Sequence, residues 1–151
     1  MSARRIAFVQ ACWHKDIVDQ ARIAFIGTMA DLGVSGDQID VFEVPGSLEI
    51  PLQSKLLAKT GKYSVIVAAG LIVDGGIYRH EFVAETVLDA MMRVQLDTET
   101  PILSLVLTPQ VFHEHGEPHR FFHEHFKVKG AEAARACLKT LENLEHLARA
   151  A

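Results

Sequence analysis

The segment Gly75-Gly76-Ile77-Tyr78-Arg79-His80-Glu81 gathers two glycines, a guanidinium, an imidazole and a carboxylate into seven residues. It follows the apolar run from Ser64 to Val73 and leads into a helical pattern from Phe82, so it joins the end of a strand to the start of a helix. Glycines let backbone N–H groups approach an anion, and a helix N-terminus adds partial positive charge. Arg79 supplies a fixed cation and His80 a group that titrates near neutrality. A phosphorylated small molecule suits this chemistry. A glycine pair is equally a tight turn, and the pair by itself does not separate the two readings.

Other residues offer chemistry with an ordinary alternative beside it. Trp13, the only tryptophan, stands among polar neighbours just past the first apolar run. There its flat ring can stack on a heterocycle or serve as a core or interface aromatic. Glu49 falls in the first turn of a helical pattern, where a carboxylate caps the helix or accepts hydrogen bonds from a ligand. Five of the eight histidines, His113, His115, His119, His123 and His125, lie within thirteen residues. A helix starting at Pro118 would set His119 and His123 one turn apart on one face, a metal-ligand spacing. With no cysteine nearby and no third ligand fixed by the pattern, a polar helix anchored by Phe122 and Phe126 is the preferred reading, and no metal is assigned. Arg120, Lys127 and Lys129 add cations that suit phosphate or, more commonly, solvent.

The elements that must position these groups are legible in the hydrophobic pattern. Apolar, partly β-branched runs predict strands over Arg5 to Ala11, Ile39 to Val44, Ser64 to Val73 and Pro101 to Leu107. Helical spacing predicts helices over about Asp16 to Leu32, from Ser47 to Gly61, about Glu81 to Leu96, and Gly130 to Arg149. Strands alternating with helices give a three-layer α/β sandwich: a four-stranded, mainly parallel sheet flanked by helices, flavodoxin-like, in one domain over residues 1–151. Ligands of such sheets bind outside the carboxyl ends of the strands. The loops at 12–15, 45–49 and 74–81 meet that description.

Composition narrows the partners. The formal net charge of −4 and the scattered distribution of 15 Lys and Arg argue against nucleic acid. Cys12 and Cys137 are too few for a disulfide framework and suit a reducing compartment. No apolar run has the length of a signal peptide's core or of a membrane span, so the expectation is a soluble cytoplasmic protein. A hydrophobic content of 49% is high for a small core and hints at self-association.

Over essentially its whole length the chain resembles lumazine synthases. Val44-Pro45-Gly46-Ser47-Leu48-Glu49-Ile50-Pro51 is similar to the family's V-P-G-A-F/Y-E-I-P, and Lys129-Gly130-Ala131-Glu132-Ala133-Ala134 to its N-K-G-x-E-A-A. Gly70 to Val83 resembles G-x-V-I-R-G-x-T-x-H-F-D-Y-V, and Leu107-Thr108 the family's L-T. The variant segment from Gly75 to Val83, with Trp13 and the histidine-rich stretch, looks closest to the type II form of rhizobia and Brucella-like bacteria.

The resemblance implies condensation of a ribitylamino-uracil with dihydroxybutanone phosphate, without cofactor or metal, in a homo-oligomer built on pentamers, with a decamer favoured by the type II look. It implies stacking of Trp13 on the pyrimidine, a ribityl site at Ser47, Leu48 and Glu49, and uracil recognition by the backbone of Leu71, Ile72 and Val73. The phosphate-facing turn falls on Gly76 and Ile77, with Lys129 beside it. Departures bear on the chemistry. An ungapped match sets Arg79 where the family has its catalytic histidine and moves the imidazole to His80, so the catalytic pair is His80 and Arg79 with the proton carrier open between them. Ser104 replaces a phenylalanine contributed by the neighbouring subunit, and the phosphate-binding arginine matches Arg120 only across a shifted gap. These departures motivate an alternative, a weakly catalytic paralogue that binds flavin or lumazine. Metal storage through the histidines is a third.

Overall fold

The structure is a computed structural model that describes residues 5–74, 79–109 and 117–150. Gly75, Gly76, Ile77 and Tyr78 of the glycine turn, and His113 and His115, lie outside the described residues. Four strands, β1 (Ile6–Ala11), β2 (Ile39–Val44), β3 (Val65–Leu71) and β4 (Ile102–Leu107), form one sheet in the order β2-β1-β3-β4. All pairings are parallel, so the sheet is wholly parallel, with the flavodoxin-like order. β1 and β3 are buried along their whole length, as continuous apolar runs covered on both faces should be.

The helices are α1 (Lys15–Asp31), α2 (Ile50–Lys59), α3 (His80–Thr98) and α4 (Glu117–Ala150). Alternation along the strands splits the core. Ile6 and Phe8 of β1 pack with Ile17, Phe25 and Phe126 on the α1/α4 side. Ala7 and Val9 pack with Ile50, Val87 and Met91 on the α2/α3 side. Strand ends are in register: Ala11 pairs with Val44, and Leu71 with Leu107. The loops that follow β1, β2 and β3 therefore leave from one edge of the sheet.

One boundary departs from expectation. The final helix does not start at Gly130; α4 runs unbroken from Glu117 and carries Gly130 in its interior. A Cβ at Gly130 would collide with the carbonyl group of Ala21, and Ala21 Cα would lie 3.0 Å from it. The glycine therefore marks where α4 crosses α1, a close backbone approach that no larger residue permits. The thirteen helical residues before it set Phe122 against the core and bury Phe126. Ser47 likewise opens a single 3₁₀ turn, Ser47–Glu49, and α2 proper starts at Ile50 with Pro51 in its first turn.

Candidate active site

β1 sends its chain into α1 on one face of the sheet and β3 into α3 on the other, so the crevice between their carboxyl ends is the switch point of the fold. Trp13 stands two residues beyond β1. His14 follows with φ 52°, a left-handed conformation rare outside glycine, which starts α1 at once and holds the turn tight. The Trp13 indole lies on Gly46: a Cβ there would be 2.6 Å from Nε1 and nearer still to the six-membered ring. Gly46 is thus a flat seat for the ring. Trp13 remains 37% exposed, so the core reading of this tryptophan does not hold and an aromatic face is left at the edge of the crevice.

The segment after β2 is built around Gly46 and Glu49. Glu49 Oε1 accepts from the Gly46 N–H at 3.1 Å, and the Glu49 N–H donates back to the Gly46 carbonyl at 3.2 Å. This closes the turn as a capping carboxylate does. Ser47 is fully buried, and its Oγ lies where a side chain on Gly70 would stand, 2.7 Å from that Cβ position. Among the described residues this hydroxyl has no hydrogen-bond partner. Leu48 is exposed. Of the residues ending β3, Leu71 and Ile72 are buried and Val73 is half-buried. The Ile72 N–H is used by the Leu107 carbonyl at 2.9 Å.

Arg79 and His80 differ sharply. The Arg79 side chain is 72% exposed, lies 3.5 Å from Glu81 Oε2 and sets its guanidinium 5.3 Å from the centre of the Phe82 ring. The His80 side chain is only 12% exposed. Its backbone N–H donates to Asp74 Oδ1 at 2.7 Å, and its ring Nδ1 lies 2.9 Å from the same oxygen. The backbone N–H of His80, and then its ring, hold the Asp74 carboxyl below its ordinary value. Asp74 is a residue that the sequence reading missed; its one signal was an acid immediately before the glycine pair. Asp74, His80 and Glu81 are the group of metal-capable side chains that the described residues bring together. Each already has a partner in the chain, Asp74 with His80 and Glu81 with Arg79.

Beneath Trp13, Gln10 is fully buried and donates from Nε2 to Asp19 Oδ1 at 2.6 Å. Lys15 bridges Asp19 at 2.9 Å and Glu43 at 3.4 Å. Burial raises the Asp19 carboxyl, but hydrogen bonds from Gln10 and Lys15 outweigh it and leave the group lowered. Burial and the Glu43 carboxylate push the Cys12 thiol up, which makes it a poor nucleophile at neutral pH.

The remaining candidates do not converge on the crevice within this chain. Ser104 sits on β4 beside Ala68, exposed, its Oγ accepting from the Val106 N–H at 3.2 Å. Arg120 and Lys129 are nine residues apart on α4, hence about 13.5 Å apart along the axis and half a turn around it. One phosphate cannot reach both in one protomer. Lys129 bonds Glu132 at 3.0 Å, while Arg120 lines a depression of about 640 Å³ with Phe121, Glu124, His125 and Val128 on the outer side of α4. His119 and His123 do share a face, with ring centres 6.3 Å apart, but His119 Nε2 is 2.7 Å from Asp16 and His123 Nδ1 is 3.5 Å from Glu124. The pair ties α4 to α1.

A flavodoxin-like α/β domain whose switch point carries an exposed aromatic face, a capped polar turn and a carboxylate-held imidazole belongs to the class that binds small heterocyclic ligands at its strand ends. More particularly, the chain belongs to the 6,7-dimethyl-8-ribityllumazine synthase family, whose sequence signature it matches over residues 3–145. It is 57% identical to the 6,7-dimethyl-8-ribityllumazine synthase of Rhodococcus erythropolis, across 97% of this chain and 95% of that one. It is 59% identical to 6,7-dimethyl-8-ribityllumazine synthase 2 of Bradyrhizobium diazoefficiens, across 95% and 86%. Identity to the Xylella fastidiosa enzyme of the same name is 36%, across 95% and 91%.

Proposed function

We propose that this protein is a transferase that condenses 5-amino-6-(D-ribitylamino)uracil with 3,4-dihydroxy-2-butanone 4-phosphate to 6,7-dimethyl-8-ribityllumazine, the penultimate step of riboflavin biosynthesis. The observation that carries this reading is the meeting, at one end of the sheet, of the Trp13 face seated on Gly46 with the family's strand-end segments. The reaction joins two reactants through an imine, loses phosphate, closes a ring and loses water. Holding the reactants together supplies much of the acceleration, because bringing partners into one site removes an entropic barrier. In this reading Trp13 stacks on the pyrimidine, Ser47, Leu48 and Glu49 face the ribityl chain, and the backbone at Leu71, Ile72 and Val73 reads the uracil. His80 moves protons. Gly76, Ile77 and the cations Arg120 and Lys129 face phosphate, and no cofactor or metal takes part.

The separation of Arg120 from Lys129 supports a site shared between copies of the chain. So does the apolar surface along α2 and α3, where Leu52, Leu56, Phe82, Met92 and Leu96 are all more than half exposed. A continuous apolar surface of this kind is a docking face in a protein that is stable in water. Assembly into pentamers, paired as decamers, covers it. The free thiols Cys12 and Cys137 fit a cytoplasmic protein, and among the described residues no helix is long and apolar enough to cross a membrane.

The exposed Arg79 and Ser104 favour a second reading, a weakly catalytic flavin or lumazine binder. Steady-state formation of the lumazine, measured beside affinity for a product analogue, separates the two. Turnover that saturates in both substrates is expected, whereas tight analogue binding with negligible turnover would establish the binder. Sedimentation is expected to give a mass that is a multiple of five chains.

A further inference from the structure

We propose that Asp74 is a positioning residue for His80, fixing its ring so that Nδ1 carries the proton and Nε2 is the nitrogen offered to the reactants. The inference rests on the reading of His80 as proton carrier in the condensation. One oxygen, Asp74 Oδ1, receives both the His80 backbone N–H at 2.7 Å and the ring Nδ1 at 2.9 Å. Two bonds from one residue to one atom hold its backbone and its ring against the same point. An ionised carboxylate accepts hydrogen bonds and donates none, so the ring nitrogen facing it must bear hydrogen. The neutral imidazole then keeps its lone pair on Nε2, the form that acts as a base.

The surroundings agree with this geometry. Asp74 is held below its ordinary value by the His80 N–H and then by the ring, so it is ionised at neutral pH. Arg79, the neighbouring cation, turns to Glu81 and Phe82, leaving Asp74 to His80. The acid is exposed while the ring is nearly covered, 61% against 12%. Asp74 thus approaches the imidazole from the solvent side and takes no place among the reactants. The bond to the His80 N–H also caps α3, whose own N-cap side chain, Arg79, makes no capping bond. A cap alone would affect folding and nothing else, and this separates the two roles.

The test uses the assembled protein with Asp74→Ala, Asp74→Asn, His80→Gln and the double variant Asp74→Ala/His80→Gln. Two readouts are taken: steady-state kinetics, and the ¹⁵N shifts of the His80 ring in histidine-labelled protein, assigned by their loss in His80→Gln. The wild-type ring should show the Nδ1–H tautomer. Asp74→Ala should move it toward Nε2–H and lower kcat about 10- to 100-fold, with KM changing less than about threefold. Asp74→Asn keeps an acceptor oxygen, so it should fold, retain the Nδ1–H form and lose less than Asp74→Ala. In the His80→Gln background, Asp74→Ala should cost nothing further. An equal loss in that background, or a wild-type proton on Nε2, overturns the proposal. Failure of the wild type to make the lumazine overturns the functional reading instead, and the tautomer still decides whether Asp74 sets the ring.

Discussion

The two ends of the sheet treat their polar groups in opposite ways. At the amino end, Asp40 receives Arg5 Nε at 2.8 Å, Arg5 Nη2 at 2.6 Å and the Tyr63 hydroxyl at 2.7 Å, so one carboxylate closes β1, β2 and the approach to β3. At the carboxyl end, Ser47 Oγ is buried with no partner among the described residues, His14 holds a left-handed backbone, and the Trp13 face is open. A buried polar group left without a bond costs about 1–3 kcal/mol, and a non-glycine left-handed residue about 1–2. Such costs persist where surrounding structure holds them in place, and they gather at working sites. The amino end is built to hold the fold and the carboxyl end to meet a ligand. Substitutions at the two ends should therefore separate activity from stability.

The largest separation is expected at His80. His80→Gln should lower kcat by about 10²–10⁴-fold, the usual worth of a positioned general acid or base, with little change in melting temperature. Arg79→Ala, removing a side chain that projects into solvent, should do much less. Steady-state kinetics on both variants check this pair; an unaffected kcat in His80→Gln beside a collapse in Arg79→Ala would pass the role to the arginine. A smaller effect is expected at the aromatic seat. Trp13→Ala removes a stacking face worth about 1–3 kcal/mol and should raise KM for the pyrimidine substrate about 10- to 100-fold, leaving kcat nearly unchanged. Gly46→Ala should reproduce part of that loss with Trp13 still present, because the added methyl collides with the indole. Equal KM values for Gly46→Ala and wild type would show that the seat does not matter.

What was readable in the sequence follows the same division. β-branched runs buried on both faces announce themselves, and the strand bounds moved by no more than two residues at either end. Trp13 and the 45–49 turn were legible because they stand just beyond strand ends, where this class of sheet binds ligands. Glu49 was legible as a cap. Gly130 was misread because a glycine beside a polar, histidine-rich stretch looks like a helix boundary. Its real reason, contact with Ala21, lies more than a hundred residues away in the chain. The spacing of His119 and His123 was right, but their partner Asp16 could not be seen along the sequence. Asp74 was overlooked because the family pattern has arginine at that place, and its meaning depends on His80 folding back onto it across six residues. Local periodicity gives elements and their ends; side-chain pairings across the fold need coordinates.

The smallest effect belongs to the amino end, and it sharpens the comparison by being silent in activity. Asp40→Asn keeps the side-chain shape and loses the charge that Arg5 pairs with. An exposed ion pair is worth about 0.2–1 kcal/mol, so the melting temperature should fall by about 1–4 °C at matched protein concentration, with kcat and KM unchanged. The pH dependence has a definite sign. Hydrogen bonds from Arg5 and then Tyr63 hold the Asp40 carboxyl below 3.8 in the folded protein. Its contribution is therefore complete above the unfolded value and disappears as the pH falls through the folded one. The gap in melting temperature between wild type and Asp40→Asn should stay constant from about pH 7 to about pH 5 and close below about pH 4. Burial and then Asp40 raise the Tyr63 hydroxyl above 10.0, so its contribution is present below that value and is lost only in alkali, as the pH rises through the folded value. A gap that instead closed near neutrality, or a loss of turnover in Asp40→Asn, would mean that the two ends of the sheet are coupled and the division of labour between them fails.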